Sequence, residues 1–358
     1  MVNVHGMARL GVLAVGLGIG AAWAHTPIAS ADASGDAAST VDSLLSGASP
    51  APAAAINLDI SFDGYTLYDG GGSAVANTGA AGNGLYDFAI AYGAGASATA
   101  EGGTGDYALA DGTNALAAAG GDGIGDTGAD GDTAVDIGNN LGMGDGAYAG
   151  NSDLAGGTDG GTGVHDTAID IGNNTIDGNI LAPSGSDGAF AGAGGLLVGA
   201  GESADGNNDT AIDVGDNSGA VDGSIAVDGN GNYASESGST TGAFEYAYAG
   251  IGNDNTAIAD TSYTTSGDNV TAYSGNDNYA SVLGPDNSTA SASYGDSSVA
   301  YVLDPFGAAG SPDSAIAGGS GLSNDLAEVL LAHGNATADT ANLLYDIVSL
   351  FGNISGSL

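Results

Sequence analysis

The stretch that decides the fold is His165-Asp166-Thr167-Ala168-Ile169-Asp170-Ile171-Gly172-Asn173-Asn174. Its middle alternates with a period of two. Thr167, Ile169 and Ile171 share one face, and Ala168 and Asp170 share the other, which is the pattern of a short β-strand. Gly-Asn-Asn then supplies residues that tolerate positive φ, so the strand ends in a turn. On the rule that apolar residues face inward, Ile169 and Ile171 are expected to point into a core and Asp170 out to solvent.

The same ten residues recur. Gly131-Asp132-Thr133-Ala134-Val135-Asp136-Ile137-Gly138-Asn139-Asn140 precedes them, and Asn208-Asp209-Thr210-Ala211-Ile212-Asp213-Val214-Gly215-Asp216-Asn217 follows. Ile212 and Val214 are expected inward by the same rule, and Asp213 outward. A reduced copy is Asp254-Asn255-Thr256-Ala257-Ile258-Ala259. A second element lies between them: Gly146-Ala147-Tyr148-Ala149-Gly150, Gly188-Ala189-Phe190-Ala191-Gly192 and Tyr246-Ala247-Tyr248-Ala249-Gly250. A five-residue strand has no stability alone and must stack on its equivalents. From residue 254 onward, and again over 87–118, short strands alternate with Asp-containing turns. The expected fold class is therefore an all-β repeat, an elongated parallel β-solenoid or β-roll over residues 56–320. The alternative is a largely disordered low-complexity chain, favoured by the high charge and the few large apolar residues.

Composition agrees with a thin repeated core. The chain holds 67 Gly against six Phe, one Trp and three Met. Each buried methylene contributes only about 0.8 kcal/mol, so a Gly/Ala-rich chain gains little from one central core. The charge is extreme, with one Lys or Arg against 43 Asp and Glu. Only Glu101, Glu202, Glu236, Glu245 and Glu328 are Glu; the rest are Asp, the acid of turns. Such a surface repels phosphate and anionic lipid, so no nucleic acid is expected as partner. Cations, or an unknown envelope or host-surface partner, are its natural complements. No cysteine is present, so disulfides and thiolate metal sites are excluded.

Residues 1–31 read as a signal peptide. Met1 to Arg9 carries the single positive charge, Leu10 to Trp23 is apolar, and Ala29-Ser30-Ala31 is a cleavage site. Cleavage after Ala31 would leave a mature chain without Lys or Arg, secreted or held in the cell envelope. The apolar stretch is too short for a comfortable membrane span, and no later one approaches that length. Residues 32–55, with Ser49-Pro50-Ala51-Pro52, read as a leader and Pro/Ala linker. Residues 321–358 read as a helical C-terminal cap. Asp325 and Glu328 suit a capping box, Leu326, Val329 and Leu330 form a stripe, and Gly334 ends it. A second helix is expected from Thr340 to Phe351, with Leu343, Leu344, Ile347 and Phe351 on one side.

The Asp-Asn-Ser-Thr-Ala and Asp-Ser-Ser-Val-Ala rungs after residue 254 resemble the head repeats of trimeric autotransporter adhesins, which implies stacked β-rolls. The chain as a whole resembles the uncharacterised exported Gly/Ala/Asp-rich repeat proteins of mycobacteria. That resemblance rests on the Ala29-Ser30-Ala31 signal, the Asp-Thr-Ala-Ile-Asp-Ile-Gly-Asn-Asn repeats and the ending Asn342-Leu343-Leu344-Tyr345-Asp346-Ile347-Val348. It is also similar in composition to the glycine-rich mycobacterial surface repeats, though it lacks their Pro-Glu N-terminal domain.

Chemistry is sparsely supplied. Gly102-Gly103-Thr104-Gly105-Asp106 and Gly160-Gly161-Thr162-Gly163-Val164-His165-Asp166 approach the calcium-binding Gly-Gly-x-Gly-x-Asp turn. The acid comes one position early in the first and one late in the second. Calcium needs several oxygens converging at about 2.3–2.6 Å, and the expectation is that the acids solvate turns, with no cofactor and calcium as the alternative. After signal removal only His165 and His333 remain as imidazoles, and His165 is expected at a surface turn. Two isolated His and no basic residue supply neither a Ser-His-Asp triad nor a lyase base. The expected function is therefore an exported structural or interaction protein of adhesin-like character, without catalytic residues and not an enzyme; the alternative is an acidic calcium-binding repeat protein.

Overall fold

Each copy of Asp-Thr-Ala-Ile-Asp-Ile forms one strand, and the copies stack in register. Thr133–Ile137, Thr167–Ile171 and Thr210–Val214 are parallel neighbours, with Ala134, Ala168 and Ala211 aligned. The second element does the same on another sheet, where Gly146–Ala149 and Gly188–Gly192 pair with Ala147 opposite Ala189. The computed structural model describes residues 55–79, 86–120, 130–140, 146–150, 164–173, 188–192, 206–215, 222–240, 245–264, 268–284, 288–303, 313–318, 322–323, 325–330, 335–338, 345–348 and 354–355. The chain divides into two units, Met1–Ala55 and Ile56–Leu358. The signal peptide and all but the last residue of the 32–55 leader lie outside the described residues.

The described residues of unit 56–358 form an all-β solenoid. Successive strands alternate between two long sheets, so each coil lays one strand on each. Among the described residues sheet I has 13 strands, running from Tyr65–Asp69 at one edge to Tyr345–Val348 at the other; sheet II has 12, from Val75–Asn77 to Ile354–Ser355. All pairings are parallel except at one edge, where Leu58–Phe62 runs antiparallel to both Tyr65–Asp69 and Phe88–Tyr92. A two-residue third sheet joins Gly295–Asp296 to Leu322–Ser323. Parallel strands need crossovers, and here each crossover is the strand on the opposite sheet. The disordered alternative does not describe these residues.

The assignment of faces is reversed from the expectation. Ala168 and Asp170 are buried, Ile169 is half-buried and Ile171 is exposed. The strand Thr210–Val214 repeats the pattern, with Ala211 and Asp213 inside and Val214 outside. Alanine governs the interior: Ala89, Ala108, Ala134, Ala168, Ala211, Ala234, Ala257, Ala280, Ala300 and Ala327 form one unbroken in-register ladder, every member 0% exposed. Sheet II faces it with Ala98, Ala117, Ala147 and Ala189 on successive rungs. At the ladder position the walls meet through methyl groups, and extra methylenes there would force the backbone apart; the second inward position of the same sheet takes Asp170, Asp213 and Glu236 and, further along, Val282, Val302 and Val329. Many larger side chains take the other face of their strand, where they stack on their rung neighbours. Tyr148 and Phe190 do so while themselves buried, with ring centroids 5.0 Å apart at 4° between planes.

The C-terminal helices are also corrected. Leu326–Leu330 is a strand of sheet I, with Ala327 and Val329 buried. Asn335–Ala338, Tyr345–Val348 and Ile354–Ser355 continue the two sheets. Leu326-Ala327-Glu328-Val329-Leu330 satisfies a period of two as well as the helical stripe. The preceding strand, Val299–Leu303, offers a complete edge of backbone partners in register, so tertiary pairing overrides local helix propensity.

Candidate functional site

The feature that organises the coil is a corner where the chain enters sheet I. One residue at each of these corners is left-handed: Tyr86 (φ 76), Gly105 (φ 80), Gly131 (φ 77), His165 (φ 61), Asn208 (φ 57), Gly231 (φ 70), Asp254 (φ 55), Asp277 (φ 57) and Ser297 (φ 60). Gly, Asn, Asp and His are the residues that best bear this conformation. His165 is thus explained by backbone geometry. It is exposed at its turn, as expected, and stands where Gly131 and Asn208 stand in neighbouring rungs.

The residue after each left-handed position forms a buried column: Asp87, Asp106, Asp132, Asp166, Asp209, Asn232, Asn255, Asn278 and Ser298, none more than 2% exposed. The left-handed turn aims each side chain along the stack toward the next rung. Asp132 N–H donates to Asp106 Oδ1 at 3.0 Å, Asp166 N–H to Asp132 Oδ1 at 2.8 Å, and Asp209 N–H to Asp166 Oδ1 at 2.8 Å. Asn232, Asn255 and Asn278 continue the chain of bonds, ending where Ser298 N–H donates to Asn278 Oδ1 at 3.0 Å. Each corner amide would otherwise be a buried orphan donor, costing about 1–3 kcal/mol.

The second side-chain atom divides the column in two. At two of the three Asn positions the amide donates to the carbonyl that closes sheet II five residues earlier, Asn232 Nδ2 to Val227 O at 3.1 Å and Asn255 Nδ2 to Gly250 O at 3.3 Å, whereas Asn278 Nδ2 is buried without such a bond. Where it is Asp, Oδ2 takes that place. The Oδ2 atoms of Asp87, Asp106, Asp132 and Asp166 are buried and accept no hydrogen bond. Burial raises these carboxyl groups above the ordinary carboxylate range, Asp106 to about 8, Asp132 to about 7 and Asp166 to about 9. Neighbouring acids in the column add to the rise, the amide bonds oppose it, and Asp87 is raised by burial in the same way. Inside the sheet I strands, Asp136, Asp170, Asp213 and Glu236 form a second run of buried acids on consecutive rungs.

Both candidate calcium turns lead into this column. Asp106 and Asp166 are 1% and 0% exposed and bond the next rung's amide. Gly160–Gly163 lies outside the described residues. Among the described residues, no group of three or more His, Cys, Asp or Glu could hold a metal ion. His333 and the side chains of the C-terminal tail also lie outside the described residues.

Outside, three kinds of row run along the stack. An exposed amide ladder links Asn207, Asn230, Asn253, Asn276 and Asp296 through side-chain bonds of 2.7–3.0 Å. Thr133, Thr167 and Thr210 make a hydroxyl row, and Ile137, Ile171 and Val214 an aliphatic row. Ile171 and Val214 are each 40% exposed. Reading the outward residues as core concealed these rows, although the sequence carries their signal in the invariant Thr-x-Ile/Val-x-Ile/Val of the three full repeats.

The fold and the corner column define the class: a two-sheeted parallel β-solenoid with an alanine interior and an Asp/Asn corner ladder. No family model matches the chain, and no curated protein and no solved structure matches it.

Proposed function

We propose that this chain is an exported, non-catalytic structural or interaction protein of the cell envelope or the secreted fraction, built as a rigid body that repeats the same outward rows rung after rung. The observation that carries the reading is the in-register stacking. A Thr/Ile face reproduced on Thr133–Ile137, Thr167–Ile171 and Thr210–Val214 offers a partner many weak contacts in a fixed lattice, which is how avidity is gained without a deep pocket. The apolar stretch Leu10 to Trp23 followed by Ala29-Ser30-Ala31 supports export. No helix among the described residues is long and apolar enough to cross a membrane.

Two measurements test this. N-terminal sequencing of protein recovered from culture medium and washed envelope should give Asp32 as first residue; material beginning at Met1 refutes the export reading. Envelope retention of Ile171→Asn/Val214→Asn should drop at least several-fold while its melting temperature stays near that of the parent. Unchanged retention refutes the role of this face.

A further inference from the structure

The two halves of the corner column differ in one atom, and that atom decides what the column is. At Asn232 and Asn255 the position beside the sheet II carbonyl is a donor, an amide N–H. At Asp106, Asp132 and Asp166 the same position is an oxygen that accepts nothing. Its surroundings are the same in kind. A side chain placed on Gly120 would strike Asp106 Oδ2, at 2.7 Å, and the carbonyl of Glu101 together. One on Gly150 would meet Asp132 Oδ2 and the Gly120 carbonyl, the latter at 3.0 Å; one on Gly192 would meet Asp166 Oδ2 and the Gly150 carbonyl, both at 2.5 Å. Each carboxyl oxygen and one carbonyl oxygen therefore border the same small space, the one a side chain on that glycine would fill. Two acceptors bordering one dry space repel, and a buried carboxylate oxygen without a partner is costly. A single proton between them removes both penalties.

We propose that Asp106, Asp132 and Asp166 are neutral carboxylic acids in the folded protein, each donating its Oδ2 proton to the carbonyl of Glu101, Gly120 or Gly150, so that the corner column is loaded with protons and weakens as they leave.

The neighbours of the column support this. Asp106 lies between Asp87 and Asp132, Asp166 lies between Asp132 and Asp209, and Asp130 and Asp63 add negative charge near Asp132 and Asp87. The other buried acids, Asp136, Asp170, Asp213 and Glu236, stand at the far ends of the same strands. The chain's only Lys or Arg is Arg9, so none lies among the described residues. The nearest imidazole, His165, is exposed at its turn. Ionisation of one carboxyl thus meets like charge along the stack and no compensating cation, and the shifts of these three acids toward about 7–9 follow.

The test uses the full chain with 13C-carboxyl-labelled aspartate, together with Asp106→Asn/Asp132→Asn/Asp166→Asn and Asn255→Asp. In the parent, three carboxyl signals should titrate above pH 6, and the melting temperature should fall by at least ~5 °C between pH 6 and pH 9. The triple variant should fold, lose those three titrations and flatten that fall. Asn255→Asp should do the reverse, adding a titrating carboxyl and a steeper decline toward pH 9. Carboxyls that all titrate below pH 5 overturn the proposal. So does a triple variant that fails to fold, or that melts below the parent at pH 8, because the column would then require carboxylates. A melting temperature raised by calcium chloride in the parent and not in the triple variant also overturns it, by placing a cation where the proton is assigned.

Discussion

Replacing Gly192 by Ala tests the corner packing most directly. Gly192 ends a sheet II strand at φ +110, a conformation that L side chains rarely adopt, and holding Ala there costs about 1–3 kcal/mol. The new Cβ would also lie 2.5 Å from both Asp166 Oδ2 and the Gly150 carbonyl, well inside the ~3.5 Å at which carbon contacts become favourable. Neither atom is the loose end of a flexible side chain: one is backbone and the other is fixed by the Asp209 amide. Overpacking of this kind costs about 1–3 kcal/mol more, so the total is about 2–6 kcal/mol. Gly105→Ala is the control. It is also left-handed, at φ +80, but nothing lies within 4 Å of its Cβ position, leaving only conformational strain of about 1–2 kcal/mol. At about 2–4 °C per kcal/mol for a body of this order, far-ultraviolet circular dichroism should show Gly192→Ala melting ~4–24 °C lower and Gly105→Ala only ~2–8 °C lower, with the Gly192 loss the larger. Equal losses, or a larger loss at Gly105, would refute the packing of Asp166 against Gly192.

Three further outcomes are expected. Ala168→Leu should destabilise by about 1–3 kcal/mol or more, through overpacking between Ala134 and Ala211, whereas Ile169→Thr should cost less than that; urea midpoints decide, and the reverse ranking would restore an isoleucine core. Phe190→Ala and Tyr148→Ala should each be destabilising, with a double-mutant coupling of about 0.5–1.5 kcal/mol from the ring stack, measured by thermal melts of the four proteins. Stability should decline with rising pH in the neutral range. Asp106, Asp132 and Asp166 hold protons up to about 8, 7 and 9 when folded, against about 3.9 unfolded. The folded chain binds more protons across that window. Their stabilising contribution is therefore complete below about pH 4 and is lost as pH climbs through 7–9; urea titrations at pH 5, 7 and 9 check the sign.

The repeats made the architecture legible, because Asp-Thr-Ala-Ile-Asp-Ile announces both a strand and its need for stacked copies. The direction of the faces was not legible. The rule that Ile goes in and Asp goes out assumes a core wide enough for branched side chains, and the Ala168 ladder is not. The alternation that identified the strand is symmetric, so only the Ala-to-Ala distance across the coil distinguishes the two faces. The corner column was hidden for a related reason. An Asp before a strand reads as a solvated turn residue, and nothing local says that Asp132 and Asp166, 34 residues apart, are adjacent and dry. The signal that could have revealed them is the replacement of Asp209 by Asn232, Asn255 and Asn278 at the same corner, an exchange that preserves shape rather than charge. The C-terminal helix was misread because Leu326, Val329 and Leu330 fit two periods at once, and only the waiting edge at Val299–Leu303 selects the strand.

The direction of the hydrogen bonds has a mechanical consequence. Backbone ladders and the corner chain alike run along the stacking axis. A load applied along that axis pulls these bonds in series, so every rung bears the same force and the weakest interface yields first. Extension would proceed as a succession of small ruptures, each releasing one coil. The coils differ in contour: 34 residues separate Asp132 from Asp166, and 23 separate Asn232 from Asn255. At up to about 3.3–3.6 Å per residue, the released lengths would be about 110–120 Å and about 75–85 Å. A single molecule stretched between two surfaces would act as an extensible tether, whose sawtooth of unequal steps records the spacing of its own repeats.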